Sequence, residues 1–344
     1  MRDKTLRDRL KDLEKLVVTG GLGFIGSNFI HHVIQSSDET RVTNLDYGKS
    51  GNPANLSDLR GHPRYRSVRG DISNPRTCRK ISSNTDYVVN FAAETHVDRS
   101  IANPQPFLSS NLIGFYNVLE ACRKKGLKKL VHVSTDEVYG SINSGSFSEQ
   151  SPLNPSSPYS ATKAGADMLA QAWHETYKVP VSIVRCTNNF GPYQHPEKFI
   201  PKAILRSLKG MKIPLYGGGK QIRDWTYVKD FCEGITKVME KGASGEIYNF
   251  SSGNEFTNRQ VAERIIRHLG IPATGVVDVE DRPAHDFRYS ISSTKTREQL
   301  GWQPRHSFDE ALRRTVDWYA NNSSWWKPLV SAKVLSATPW KESD

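Results

Sequence analysis

The stretch "KLVVTGGLGFIGSNF", residues 15–29, ends an apolar run at Thr19 and then places glycines at 20, 23 and 26. A short, β-branched apolar run reads as a strand buried on both faces, the kind found in parallel sheets. The residues that follow, "FIGSNFIHHVIQSS" (24–37), have apolar positions at helical spacing. Gly20, Gly23 and Gly26 allow the chain to turn tightly, approach a pyrophosphate and pack helix on strand. The unpaired N–H groups of the helix start then face the phosphates. A G-x-x-G-x-x-G spacing is weak by itself, and it gains force here from lying between the first strand and the first helix.

Outward from this turn the pattern repeats. "RVTNLD" (41–46), "YRSVRGD" (65–71), "YVVNFAA" (87–93), "KLVHVST" (129–135) and "VSIVRC" (181–186) read as strands, with helical patterns over 106–125 and 159–178. Strand–helix alternation of this kind predicts an α/β fold, a Rossmann-type doubly wound parallel sheet with right-handed crossovers. Asp46, 26 residues after Gly20, ends the second strand, where a carboxylate can accept from both ribose hydroxyls and repel a 2′-phosphate. That favours NAD over NADP, against the small counterweight of Lys49. Asp71 follows the third strand and is placed to touch the adenine end.

Composition narrows the class further. The chain has 344 residues, 37% of them hydrophobic and 24% charged, as expected of one large or two ordinary globular domains. It contains no apolar run of membrane-spanning length. The N-terminal "MRDKTLRDRLKDLEKL" is charged throughout, unlike a signal peptide, and is expected to form a short polar helix. Four scattered cysteines (Cys78, Cys122, Cys186, Cys232) without CxxC spacing point to a reducing, cytoplasmic setting and to no structural zinc. The net charge of +11 is spread along the chain with no nucleic-acid-binding motif, so it reads as a basic surface that attracts a small anionic substrate.

Two patterns carry chemistry. "YSATK" sets Tyr159 and Lys163 four apart, on one face of a helix. "YGGGK" (216–220) has the same spacing, but three consecutive glycines do not sustain a helix, so Tyr216 and Lys220 belong to a loop. Tyr159 instead follows the helix-start signal "NPSSP". A tyrosine acting as a base near pH 7 must lose about 3 pKa units, roughly 4 kcal/mol of phenolate stabilisation. A neighbouring lysine and a positive nicotinamide ring are suited to provide it. The second pattern is "VHVSTDEVYG" (131–140), where a strand ends in Thr135 followed by two adjacent carboxylates, Asp136 and Glu137. Carboxyls held side by side repel, so one can stay protonated as an acid while the other acts as a base. A solvated polar turn is the alternative reading of the same residues.

Together the glycine turn, the hydroxyl and Y-x-x-x-K resemble the extended branch of the short-chain dehydrogenase/reductases, which act on nucleotide sugars. "AAETHVDRSI" (92–101), "STDEVYG" (134–140), "YSATKAGAD" (159–167), "NNFGPYQHPEKFIP" (188–201), "GKQIRDWTYVKD" (219–230), "DRPAHDFRYSI" (281–291) and "LGWQP" (300–304) are similar, more narrowly, to the dTDP-glucose 4,6-dehydratases. The similarity runs in order from about residue 15 to about 330.

The resemblance implies NAD as cofactor and a nucleotide-diphosphate sugar as substrate. Tyr159 would take the C4 hydroxyl proton, Glu137 the C5 proton, and Asp136 would protonate the departing C6 oxygen, with Thr135 and Lys163 completing the catalytic set. Phe24, Ile25, Ile72, Ala92, Ala93 and Cys186 would border the cofactor beside Gly20, Gly23, Gly26, Asp46 and Asp71. Asn188, Glu197, Lys198, Pro214, Tyr216, Arg223, Asn258, Arg282, His285 and Tyr289 would hold the nucleotide diphosphate, and His96 and Thr135 the sugar. Arg223 and Arg282 suit bidentate phosphate contacts, although Arg223-Asp224 also reads as a structural ion pair. Phe190 stands where these relatives commonly carry Tyr, which removes a hydroxyl expected near the sugar. The implied organisation is a cofactor domain over 1–187, rejoined by 224–251, a smaller C-terminal α/β substrate domain over 188–330 and a tail over 331–344. The helices at 106–125 and 159–178 would pair two copies in a homodimer. Two other readings remain at this point: a 4-epimerase or decarboxylase on the same fold, and a non-catalytic NAD or sugar-nucleotide sensor.

Overall fold

The structure, a computed structural model, describes residues 15–81, 84–124, 126–270, 275–281 and 286–338. The expected N-terminal helix and the residues Arg282 and His285 lie outside these.

Seven parallel strands form the main sheet: β1 (Lys15–Thr19), β2 (Arg41–Asp46), β3 (Tyr65–Arg69), β4 (Tyr87–Asn90), β5 (Lys129–Thr135), β6 (Val181–Cys186) and β10 (Ile247–Phe250), in the order β10-β6-β5-β4-β1-β2-β3. β1 lies between β2 and β4, with Val17 opposite both Thr43 and Val88. The chain builds outward from β1 in one direction and from β4 in the other. A crevice therefore opens above the carboxyl ends of the strands where the order reverses.

Helices cover both faces, which is why the central strands β1 and β4 carry consecutive buried apolar residues, whereas the edge strand β3 is more polar. Leu16 and Val18 pack in a core with Phe29 and Val33 of α1 (Phe24–Ser36) and Phe231 and Ile235 of a later helix, Val228–Lys241. Val17 faces the other way, toward Phe115 and Leu119 of Phe115–Arg123 and Ala166 and Ala170 of Pro158–Tyr177. The helix expected over 106–125 is interrupted, with a π-helical stretch over Leu108–Gly114 ahead of Phe115–Arg123. In chain order the helices used below are α2 (Val97–Ala102), α3 (Phe115–Arg123), α4 (Pro158–Tyr177), α5 (Phe199–Leu208), α6 (Val228–Lys241), α7 (Asn258–Leu269), α8 (Phe308–Asn321) and α9 (Ser323–Trp326).

A second lobe holds β7 (Asn188–Phe190), β9 (Ile222–Tyr227) and β11 (Glu255–Thr257), in the order β11-β9-β7. A separate pair, β8 (Ile213–Tyr216) and β12 (Val276–Val279), runs parallel. Because β9 pairs with β7 and β11, the segment that rejoins the large sheet is α6 with β10, 228–250, rather than 224–251. Gly217, Gly218 and Gly219 all have positive φ, so "YGGGK" is a turn and does not set Tyr216 and Lys220 on a helix face.

Phe190 corrects one expectation. Its ring is fully buried among Trp225, Tyr227 and Phe308 and does not line the cleft. No helix among the described residues is long and apolar enough to cross a membrane.

Candidate active site

A cleft of about 800 Å³ lies at the carboxyl ends of β1, β2, β4, β5 and β6. Its floor is the glycine turn. Gly20 has φ +72°, and a Cβ there would lie 2.5 Å from the backbone N of Ala92. A Cβ on Gly26 would lie 2.4 Å from the carbonyl oxygen of Gly20. Side chains are excluded from this cradle on steric grounds. No side chain caps the start of α1, so its first N–H groups are left for an anion.

Around the cradle the structure gathers every residue expected to border a cofactor: Gly20, Gly23, Phe24, Ile25, Gly26, Asp46, Asp71, Ile72, Ala92, Ala93, Tyr159, Lys163 and Cys186. Asp46 is less exposed to a ligand than its sequence position suggested. Its Oδ2 accepts from the N–H of Leu22 at 2.8 Å and its Oδ1 from Gly48 at 2.7 Å, and burial raises its pKa while these bonds oppose the rise. Asp71 accepts from the N–H of Ser73 at 2.8 Å.

At the centre, all seven residues of β5 are buried, and the strand delivers Thr135, Asp136 and Glu137 to the cleft. Thr135 Oγ1 donates to Asp136 Oδ1 at 3.2 Å and accepts from the Glu137 N–H at 3.3 Å. Asp136 Oδ2 is buried with no hydrogen-bond partner. Burial, and then the neighbouring Glu137, raise the Asp136 carboxyl to about 8, with the Arg223 guanidinium opposing. Burial therefore favours the protonated form of Asp136 at neutral pH.

This burial has a thermodynamic consequence. A carboxyl whose pKa is higher folded than unfolded binds more protons when folded between the two values, so stability falls as pH rises from about 4 to about 8. Asp136→Asn removes that loss. The variant should melt several degrees above the parent at pH 7, for a gain on the order of 4 kcal/mol at most, and match it near pH 4. Thermal melts across that range check this.

Tyr159 and Lys163 enter from the first two turns of α4, whose start is fixed by Pro158 and a capping box between Ser157 and Ser160. Lys163 Nζ donates to the carbonyl of Val133 at 2.7 Å, and burial lowers it to about 8 with Asp167 opposing. Tyr159 is buried, and burial first and Glu137 second hold its hydroxyl well above the ordinary tyrosine value, with the Thr135 hydroxyl pulling the other way. Lys163 by itself does not bring Tyr159 down to a working base, in keeping with the expectation that a lysine and a positive nicotinamide ring act together. The chain without a further positive charge keeps this tyrosine protonated, because desolvation outweighs the help of its neighbours.

Of the residues expected to hold substrate, His96, Thr135, Asn188, Glu197 and Lys198 line the cleft. His96 caps α2 by accepting from the Arg99 N–H at 3.4 Å, and burial lowers it to about 4. Glu197 Oε2 accepts from Arg99 at 2.7 Å and lies 3.5 Å from His96 Nε2. Arg223 lies over the Tyr289 ring at 4.5 Å and donates to the carbonyls of Asp286 and Phe287; both residues interact electrostatically with the carboxylate pair. Pro214 and Tyr216 on β8 and Asn258 at the start of α7 do not line this cleft. They stand on the second lobe, whose small β8–β12 sheet is separate from the strands that end at the crevice. Arg99, Asn189, Gln194 and His195 also line it and were not singled out from sequence. Each sits inside a quoted motif, so the signal was present as a segment but not as a residue.

Comparison with known proteins gives the same picture. The sequence model of the GDP-mannose 4,6 dehydratase family matches residues 17–315. A dTDP-glucose 4,6-dehydratase of Streptomyces niveus is 44% identical over 330 residues, covering 94% of this chain and 98% of the relative. A dTDP-glucose 4,6-dehydratase of Streptomyces venezuelae, solved with NAD bound, is 45% identical with a TM-score of 0.89, covering 92% of this chain and 100% of the other. An epimerase from Methanothermobacter thermautotrophicus also superposes with a TM-score of 0.89 at 28% identity, covering 95% of this chain and 99% of the other. Backbone likeness is therefore shared between dehydratases and epimerases, and the side chains in the cleft must separate them.

Proposed function

This chain belongs to the GDP-mannose 4,6 dehydratase family, and we propose that it converts a nucleotide-diphosphate glucose, best matched by dTDP-glucose, to the 4-keto-6-deoxy sugar. The observation that carries this reading is the adjacent pair Asp136-Glu137, with Asp136 raised to about 8 by burial, behind Thr135 and lining one cleft with Tyr159. An epimerase oxidises and re-reduces C4 and needs a single base. Loss of water across C5 and C6 needs an acid and a base at once.

The cradle fits a dinucleotide: Gly20, Gly23 and Gly26 admit backbone close to a pyrophosphate, and Asp46 and Asp71 flank the adenosine side. NAD, when bound, supplies the hydride chemistry, accepting from C4 and returning to C6. The chain supplies the proton traffic. Tyr159 Oη takes the proton of the C4 hydroxyl. Glu137 removes the C5 proton, which the C4 ketone has made acidic, and Asp136 gives its proton to the departing C6 oxygen. Glu137 returns its proton to C5 as hydride reaches C6, and the proton taken up by Tyr159 makes good the one Asp136 gave away. Lys163, held by the Val133 carbonyl, keeps a positive charge beside this traffic. Asn188, Glu197, Lys198, His96 and Arg223 form the sugar and diphosphate side, and Pro214, Tyr216, Asn258 and Tyr289 the nucleotide side on the second lobe. The cofactor unit is 1–187 with the returning segment, and 188–330 is the substrate unit.

A sensor has no use for a buried, protonated acid whose burial lowers stability, so the non-catalytic reading is disfavoured. The reaction is tested by incubation with dTDP-, UDP-, CDP- and GDP-glucose and GDP-mannose, followed by mass spectrometry. Loss of one water without added reductant is expected with dTDP-glucose; none with any sugar nucleotide would overturn the reading. Turnover should also fall at least tenfold per unit above about pH 8. There Asp136 loses its proton and Lys163 its charge, and both changes act in the same direction.

A second copy of the chain is the partner proposed for the face formed by α3, the π-helical stretch before it, and α4. Leu108, Ile113, Tyr116, Met168 and Tyr177 are exposed there on two packed helices, Met168 at 63%. A cluster of large apolar residues on one face marks an interface more often than bare solvent-facing surface. Met168→Glu should shift the protein from dimer to monomer in sedimentation; a wild-type monomer would contradict the pairing. The four cysteines are all unpaired and buried, which supports a cytoplasmic setting.

A further inference from the structure

The proton-transfer scheme makes no use of the aromatic cluster near the end of the chain, yet this cluster touches both halves of the site. Trp318, Tyr319 and Trp325, from α8 and α9, pack with ring centroids 5.0–6.2 Å apart. Against them lies Tyr193, a non-glycine residue with φ +67°. Its ring meets Trp318 at 4.8 Å and Trp325 at 5.9 Å and stacks on His31 of α1 at 5.7 Å. A tyrosine in the left-handed region is strained and persists when its surroundings fix it. Here three rings do so.

One arm from this cluster reaches the substrate side of the cleft. The Tyr319 hydroxyl donates to the carbonyl of Gln194, and Gln194 Nε2 donates to the carbonyl of Asn189 at 2.9 Å. Asn28 of α1 donates to the carbonyl of Pro192 at 3.0 Å. The loop held in this way carries Gln194, His195, Glu197 and Lys198 into the cleft. The other arm reaches the glycine turn. Trp325 Nε1 donates to Asn55 Oδ1 at 2.8 Å, and Asn55 Nδ2 donates to the carbonyl of Leu22 at 2.9 Å. That carbonyl also accepts from the Asn52 N–H at 2.9 Å, and the Leu22 N–H donates to Asp46. Leu22 stands between Gly20 and Gly23, inside the cradle.

We propose that Trp325, Tyr319 and Tyr193 are positioning residues that hold the glycine turn and the 191–198 loop in one register, so that dinucleotide and sugar-nucleotide binding strengthen each other through them. The inference rests on the dinucleotide reading of the cradle. Tyr193, Tyr319 and Trp325 do not line the cleft, so they act through Leu22 and Gln194 rather than on the chemistry. Coupling of this kind is reciprocal: each ligand raises the other's affinity by the same factor.

Trp325→Phe keeps a ring beside Tyr193 and removes the donor to Asn55. NAD should leave this variant about fivefold faster, as expected for one lost hydrogen bond. Asn55→Ala together with Trp325→Phe should be no worse than Asn55→Ala alone, since both changes break one path. The gain in dTDP affinity on loading the protein with NAD, read by calorimetry, should shrink, while kcat at saturation stays within about twofold. Tyr319→Phe, which removes the donor to Gln194, should weaken dTDP binding more than NAD binding. Unchanged NAD release in Trp325→Phe with an unchanged dTDP gain would overturn the proposal. So would a lower melting temperature of the NAD-depleted variant with NAD release unaltered, which is the signature of a purely structural role. If the parent protein itself bound no NAD, the dinucleotide reading would fail instead, and the two failures are told apart by that control.

Discussion

The double variant Asp136→Asn, Glu137→Gln should still form reduced NAD when mixed with dTDP-glucose, and should lose water at least about a thousandfold more slowly than the parent. The two steps separate because different groups serve them. In the proposed scheme oxidation at C4 uses Tyr159, which both substitutions leave in place on α4. Elimination needs a proton given to the C6 oxygen and another taken from C5, and neither amide can do either. General acid and general base each contribute roughly 10²–10⁴ in rate, so loss of both exceeds any plausible effect of altered packing. The substitutions are close to isosteric. The amide at 136 also relieves the burial that raises the carboxyl to about 8, so the fold is expected to hold. Absorbance of reduced nicotinamide at one equivalent per site, with no water lost by mass spectrometry, is the expected pair of readings. Dehydration within about tenfold of the parent would show that the two carboxyls are misassigned.

Tyr159→Phe should act one step earlier and stop both readings. The ring packs at the start of α4 with its backbone N–H donating to Ser100 at 3.2 Å and its edge toward Phe107, and phenylalanine keeps that packing. What disappears is the Oη proposed to accept the C4 proton, so hydride loss should slow by roughly 10³–10⁴ with little change in substrate affinity. The tyrosine is held well above its ordinary value by burial and by Glu137. A phenolate near neutral pH therefore depends on positive charge: Lys163 on one side, and the oxidised nicotinamide that the cradle is shaped to bring. About 4 kcal/mol of phenolate stabilisation is required. Normal formation of reduced NAD by Tyr159→Phe would place the base elsewhere.

The main sheet was legible because its central strands are short apolar runs separated by helical spacing, so the period distinguishes them. The glycine turn was legible because backbone geometry there excludes side chains: Gly20 and Gly26 have no room for a Cβ. Asp136 and Glu137 stood out because adjacent carboxyls closing a buried strand demand a reason. Which of them keeps the proton could not be read, since it depends on burial and on Arg223, which is remote in sequence. Tyr193 and Trp325 were also beyond reach. The bond from Trp325 to Asn55 spans 270 positions, and nothing local in "SSWW" announces its partner. Phe190 was misread for a related reason, because its neighbours Trp225 and Phe308 come from other elements and turn it into the core. Patterns with a short period or a steric signature survive in sequence, whereas polarisation and long-range contacts are properties of the folded chain.

The account stands most directly on where the C4 hydrogen goes. With dTDP-glucose carrying deuterium at C4, the product should be a 4-keto-6-deoxy sugar nucleotide with that deuterium at C6, transferred within one molecule and with no added reductant. Deuterium kept at C4 of an epimer, or lost without appearing at C6, would contradict the account.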